Sequence, residues 1–372
     1  MLAWRNLVHD KVRLAVTVTG IVFAVVLIVV EFGLFLGFTS SIASLIERSG
    51  ADFWVTARNV PYIEQGVPFT DRKLATALST PGVGAASTYI TRFSQWKRPD
   101  GQQESVQVVG VDLQTGLGAP WNLVEGTLDD LRRPDAVFID EIYREKLGVD
   151  RVGQTVEIRG RRARVAGFTR GIRAFTTAPY VFTTFRNALD YGGLQADQTM
   201  FLLVRAAPGA DLAAVQRALG ARLPDVDVLP TGAFARRTQM YWMFTTGAGI
   251  AVLLAALLGL IVGVVVVAQT IYATTVDHIR EYGTLKAMGA SNRYLYGVII
   301  QQAVIAAGIG YTLGMVVSAF VVRGSQQGGA AILLPGWMVA GMLALTMVMC
   351  IGAALVSIKR VTSLDPAMVF KG

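Results

Sequence analysis

Asp277–Ser291 reads D-H-I-R-E-Y-G-T-L-K-A-M-G-A-S. It is a short polar island between two long apolar runs: no charged residue occurs from Thr238 to Val276, and none from Tyr294 to Val322. Each run exceeds the roughly 20 residues a helix needs to cross a hydrocarbon core of about 30 Å. The island is therefore expected to be a tight loop between two membrane spans. Arg280, Lys286 and Arg293 place it on the cytoplasmic side by the excess of basic residues in such loops. On a helix, Ile279, Tyr282, Leu285 and Met288 recur every three residues and form one apolar stripe, flanked by Arg280, Glu281 and Lys286. That stripe fits either the protein's own membrane helices or a groove on a cytoplasmic partner. Gly289 suits the left-handed position that ends a helix, and Ser291 can cap the next.

Working outward, the apolar runs number four. The first, 14–38, follows a short amphipathic segment (1–13) in which Trp4, Leu7, Val8 and Val12 share a face suited to the headgroup layer. A cleavable signal peptide fits less well, because the apolar stretch is too long and no small-residue cleavage site ends it. The others are 242–272, with Tyr241 and Trp242 as an aromatic belt at its outer edge, 295–322, and 333–358 after a Gly/Gln-rich turn (Gly324 to Gly329). The cytoplasmic loop is 273–294 and the tail 359–372. Four spans put both termini on one side, which Arg5, Lys11, Arg13, Lys359, Arg360 and Lys371 mark as cytoplasmic. Residues 39–241 are then extracytoplasmic. Glu31 lies within the first span. It either reaches water near the outer interface or is a buried carboxylate that relays protons or pairs across a dimer, since acids inside a membrane are costly.

The composition agrees with this division. The chain is 53% hydrophobic and 16% charged, a membrane protein with a substantial soluble part. Residues 39–241 hold 24 of the 34 Lys/Arg and 21 of the 26 Asp/Glu, so most of the net charge of +8 lies elsewhere and is a topology signal. No basic stripe interleaved with aromatics suggests nucleic acid. A single cysteine, Cys350, and two histidines, His9 and His278, allow no intrachain disulfide and no Cys/His metal cluster.

Within 39–241, strand and helix signals alternate. Asp52–Ala57 reads as a strand. Thr70 can cap a helix facing inward through Leu74, Ala77 and Leu78, and Val83–Trp96 returns as a strand. The order recurs with strand Thr199–Arg205, cap Asp211, helix face Leu212, Val215 and Leu219, and strand Val226–Leu229. Two β-α-β units far apart in sequence are thus expected to form one subdomain. Between them, Gln103–Val111, Ala136–Ile139, Thr155–Arg159 and Arg162–Phe168 read as strands, with Gly160-Arg161 as a hairpin turn. Arg159, Arg161, Arg162, Arg164, Arg170 and Arg173 cluster there, as a solvated face or a surface for an acidic partner or lipid headgroup. The expected class is an α-helical membrane protein with four transmembrane helices and a large extracytoplasmic α+β domain between the first and second.

The chemistry of common enzymes is missing. There is no G-x-x-x-x-G-K-[ST] phosphate loop, no G-x-S-x-G elbow and no H-E-x-x-H. The pairs Asp129/Asp130 and Asp140/Glu141 lie in polar segments and read as surface carboxylates.

The island R-E-Y-G-T-L-K-A-M-G-A-S resembles the coupling-loop signature of FtsX/MacB-like ABC transporter permeases, R-x-x-E-I/Y-G-x-L-R/K-A-x-G-A. The opening A-W-R-N-L-V-H-D-K-V-R-L-A-V-T-V-T-G-I and the ending I-K-R-V-T-S-L-D-P-A-M-V-F also resemble that family. The wording I-V-G-V-V-V-V-A-Q-T-I-Y and D-H-I-R-E-Y-G-T-L-K-A-M-G is closest to the DevC-type exporter branch. The resemblance implies a homodimer in the bacterial inner membrane, bound through the island to two ATPase subunits that hold the ATP and magnesium; this chain itself would carry no cofactor and no catalytic residue. Glu281, Gly283, Leu285, Lys286, Ala287 and Gly289 are the matching positions, and Ile279, Tyr282 and Met288 complete the ATPase-coupling set. It further implies a membrane-fusion adaptor, an outer-membrane channel, and export of a lipid, glycolipid or other amphiphile. Two other family roles remain open: an FtsX-like mechanotransmitter acting on a cell-wall hydrolase, and a lipoprotein-releasing permease. One departure is Gln302, where a Glu is common in that family.

Overall fold

The computed structural model describes residues 11–176, 178–325 and 332–362. Residues 1–10 of the expected amphipathic segment (1–13), most of the Gly324–Gly329 turn and the tail beyond Thr362 lie outside the described residues. The described chain divides into two compact units, one of residues 11–37, 250–325 and 332–362, the other of residues 38–249.

The first unit holds four helices long and apolar enough to cross a membrane. They belong to α1 (Lys11–Glu47), α7 (Ala248–Asp277), α9 (Asn292–Ser325) and α10 (Gly336–Thr362). Lipid tails are as apolar as leucine, so such helices associate through close packing at small residues and through hydrogen bonds. α1 shows both. Its Ile21 and Val25 sit on Gly310 and Gly314 of α9, and its Ile28 sits on Gly263 of α7. The Thr17 and Thr274 hydroxyls lie 2.9 Å apart across α1 and α7, and Tyr311 Oη donates to the Val339 carbonyl across α9 and α10 at 2.9 Å. Glu31 is half-buried, with its side chain against Gly259 of α7.

The second unit is built on a ten-stranded sheet. Its strands are β1 (Phe53–Ala57), β3 (Val83–Lys97), β4 (Gln103–Val111), β5 (Leu123–Glu125), β6 (Ala136–Asp140), β7 (Thr155–Ile158), β8 (Arg161–Thr169), β9 (Tyr180–Thr184), β11 (Phe201–Ala206) and β12 (Val226–Pro230). The order is β12-β1-β11-β3-β4-β9-β6-β8-β5, and β2 (Phe69–Thr70) pairs separately with β10 (Gln198–Thr199). The 15-residue β3 joins two parts. Its first half pairs with β11 and its second half with β4. β7 pairs with both β8 and the end of β3, so β3-β4-β9-β6-β8-β7 closes on itself as a six-stranded barrel without free edges.

The two expected β-α-β units do share one sheet, β12-β1-β11-β3, under α2 (Lys73–Leu78) and α5 (Leu212–Arg222). Their common core includes Phe53, Val55, Ala77, Leu202, Val215 and Leu219. Three local expectations change. Leu78 and Leu212 are about half exposed: each lies at a helix end, off the Ala77 or Val215/Leu219 face. Thr70 ends β2 and α2 begins only at Lys73, with the Thr70 hydroxyl accepting from the Arg72 N–H. The β7–β8 turn is Arg159-Gly160, both at positive φ (49° and 74°), the geometry that matches the twist of a two-residue hairpin. Asp211 does cap α5, accepting from the Ala213 N–H.

The chain enters and leaves this unit side by side. Phe53 faces Pro230 across the β1–β12 ladder, and the Thr231 N–H and hydroxyl bond the Asp52 and Ala51 carbonyls. After α6 (Thr231–Met240) comes a π-helical turn, Tyr241–Thr245, and Gly247 at φ 75° precedes α7. The second membrane helix therefore starts at Ala248, later than the expected residue 242.

Candidate functional site

The island is not a loose loop. α7 continues to Asp277, His278 breaks it, and α8 (Ile279–Ala287) follows at once. The His278 Nδ1 lies 2.9 Å from the Thr274 carbonyl, which leaves that nitrogen as the donor, and the His278 carbonyl accepts from the Tyr282 N–H. α8 ends as its residues require. Gly289 sits at φ 94°, and the N–H groups of Met288, Gly289 and Ala290 return to the carbonyls of Thr284, Lys286 and Leu285. The Ser291 hydroxyl then accepts from the Tyr294 N–H at the start of α9.

The apolar stripe splits. Tyr282 is 2% exposed and belongs to the membrane core that includes Ile299 and Ala303, with Ile279 and Leu285 packed against the same core. Its hydroxyl donates to Gln302 Oε1 of α9 at 2.9 Å. Burial, and then the neighbouring Glu281 charge, push the phenol pKa up. Gly283 is buried, Lys286 half-buried, and Glu281 and Gly289 exposed. Met288 is 72% exposed. Of the two fits open to the stripe, Ile279, Tyr282 and Leu285 take the first and face this chain's own helices. The outward surface includes Glu281, Thr284, Met288 and Gly289, continued by Arg293 and Tyr294. A helix without a bundle to sit on would bury its stripe in a partner; α8 has the bundle.

Beneath α8 lies a cavity of about 50 Å³ whose polar lining is Arg13, Thr17, Thr274, Thr275, His278, Tyr282 and Gln302. Of these, Tyr282 is legible in the sequence as a coupling residue and Gln302 as a departure from the family pattern. Their pairing brings together residues 20 apart, on two helices. At the rim, Arg13 and Asp277 approach to 3.9 Å, an exposed pair that contributes little stability.

The arginines of the outer unit are less available than their number suggests. Arg162 pairs with Asp135 at 2.7 Å and Arg170 with Glu141. The carboxylate pairs are structural. Asp130 closes a capping box with Thr127. Asp140, expected at the surface, is 2% exposed and accepts from the Ile142 and Ile172 N–H groups and the Thr169 hydroxyl.

The sequence model of the MacB-like periplasmic core domain matches residues 14–222, and that of the FtsX-like permease C-terminal domain matches residues 253–366. This chain belongs to the FtsX/MacB-like ABC transporter permease family. An ABC transporter permease of Mycobacterium tuberculosis, Rv0072, is 26% identical to this permease over 100% of the chain and 99% of the relative. Another, Mb2592 of Mycobacterium bovis, is 24% identical over 99% and 97%. The crystal structure of the periplasmic region of MacB from Actinobacillus actinomycetemcomitans overlays 52% of the permease and 96% of its own chain at 12% identity, TM-score 0.40. The extracellular domain of the noncanonic ABC-type transporter YknZ from Gram-positive bacteria overlays 48% and 98% at 12% identity, TM-score 0.37. The permease is therefore a multi-pass membrane protein with a MacB-like domain inserted between its first and second membrane helices.

Proposed function

We propose that this permease is the membrane subunit of an exporter driven by a separate ATPase, with α8 as the coupling element. The observation that carries the reading is the two-sided character of α8. Its inner side is fixed to the bundle by Tyr282, and its outer side presents Glu281, Met288 and Gly289. A partner that moves this outer surface moves α9 through a hydrogen bond and a buried ring. In this reading both termini and α8 are cytoplasmic, residues 39–241 lie outside the inner membrane, and a homodimer carries two ATPases that hold ATP and magnesium. The cargo class is a lipid, glycolipid or other amphiphile, passed with a membrane-fusion adaptor and an outer-membrane channel.

The test is co-purification of the ATPase with Met288→Asp and Glu281→Lys, alongside Leu285→Ala. The outward substitutions disrupt a partner surface while leaving the bundle intact, so the ATPase dissociates from a normally folded permease. An ATPase retained by both outward variants places the contact elsewhere.

A further inference from the structure

Glu64 lies on the 3-10 turn Ile63–Gln65 of the outer unit, in a setting unlike that of its other carboxylates. It is 9% exposed. Its Oε2 accepts from the Trp242 indole N–H at 3.3 Å, while Oε1 is buried without a hydrogen-bond partner. Trp242 belongs to the π-helical turn Tyr241–Thr245 that leads out of the unit towards α7. Around this pair run ring contacts from four separate segments. Tyr62 stacks on Tyr241 at 4.1 Å and meets Trp242 edge-on at 5.4 Å. Phe175 meets Trp242 at 4.7 Å and Phe38 at 5.9 Å.

No cation answers the carboxylate: among the described residues Glu64 makes no ion pair. The titratable groups that face it are phenols, Tyr62 of its own turn and Tyr180 of β9. Tyr241 belongs to the same cluster, stacked on Tyr62. Arg173, on the loop that also carries Phe175, acts on Tyr143. An ionised carboxylate with one oxygen unpartnered among rings is costly, whereas a protonated one is tolerated there.

We propose that Glu64 is a proton-operated latch: protonated, it remains among the rings and holds Tyr241–Thr245 on the outer unit, and ionised, it swings to water and releases that turn. The direction follows from linkage. Burial pushes the closed-state carboxyl up to about 7 from an ordinary 4.5, against the opposing hydrogen bonds of its own backbone N–H and then of the indole. The closed state therefore holds the proton more tightly than the open one. Its advantage is complete below about pH 4.5, declines as pH rises to about 7, and stays lost above. Acidification closes the latch. The ratio of closed to open changes by on the order of a hundredfold across that range.

The experiment is hydrogen–deuterium exchange of the full-length protein in nanodiscs, followed by mass spectrometry of peptides covering 238–247, from pH 5 to 8 and corrected for intrinsic exchange. In wild type, protection of this segment falls as pH rises from 5 to about 7 and levels off above. Glu64→Gln keeps the shape and the acceptor but cannot ionise, so its protection stays high and flat. Trp242→Phe keeps a ring but loses the indole donor, so the midpoint moves to higher pH. Flat protection in wild type overturns the latch, and so does an unchanged pH profile in Glu64→Gln. Should Glu64→Gln fail to fold, an unshifted midpoint in Trp242→Phe overturns it as well.

Discussion

Gly310 of α9 meets α1 so closely that one added methyl group must separate the helices. A Cβ at Gly310 would lie 2.5 Å from Ile21 Cγ2 and 2.7 Å from Ile21 Cβ. Ordinary contact needs about 3.5 Å or more, so the shortfall is about 1 Å. Ile21 is fully buried, and its Cβ is fixed to the α1 backbone, so no rotamer change relieves the clash. Overpacking of this kind costs about 1–3 kcal/mol. The better helix propensity of alanine returns at most about 1 kcal/mol, and the balance is a net loss for Gly310→Ala. Two other glycines calibrate the result. At Gly263 the nearest atom is Ile28 Cδ1 at 2.9 Å, the far end of a flexible side chain, and at Gly308 nothing lies within 4 Å. The expected order of stability is Gly308→Ala at or above wild type, Gly263→Ala slightly below, and Gly310→Ala lowest by several degrees. Cys350, the only cysteine and fully buried, supplies the readout: a thiol-reactive fluorogenic dye reports its exposure during a thermal ramp in one detergent. A Gly310→Ala midpoint within a degree of Gly308→Ala would refute the close α1–α9 contact.

Two further outcomes follow from features above. A double-mutant cycle on Tyr282→Phe and Gln302→Leu should give a coupling of about 1 kcal/mol in the same thermal assay; strictly additive effects would show that the hydrogen bond does not tie α8 to α9. For topology, with Cys350 changed to Ser, Gln102→Cys should react with an impermeant thiol reagent in spheroplasts and Ala290→Cys should not. Gln102 is the better probe of that exposed turn, because the adjacent Gly101 sits at φ 89°, a conformation other residues adopt with strain.

The membrane helices and the β-α-β repeat were legible because both rest on local pattern: uninterrupted apolar runs in one case, and alternation broken by Pro and Gly in the other. Periodicity shows that a helix has an apolar side but not what lies against it. The stripe through Tyr282 was therefore visible while its destination, Gln302 and the bundle, was not. The same limit hides the setting of Glu64, whose partner Trp242 is far away in sequence. Closure of the barrel is not legible in the sequence because it rests on two residue pairs between β7 and β3, about 60 positions apart. The hairpin was placed one residue late. Arg159 carries the positive φ of its turn, a conformation that favours Gly, Asn or Asp.

The side-by-side ends of the outer unit have a mechanical consequence. Because Phe53 opposes Pro230 in an antiparallel ladder, the incoming and outgoing stems emerge at the same end of one strand pair. Ladder bonds run perpendicular to the strands. Forces that spread the two stems load those bonds one after another, as in opening a zipper, and each resists with only about 1 kcal/mol. A displacement shared by both stems loads none of them, and the whole sheet follows it as a rigid body. The geometry of this strand pair thus distinguishes in-phase displacements of its stems, which it follows as one body, from out-of-phase ones, to which it yields bond by bond.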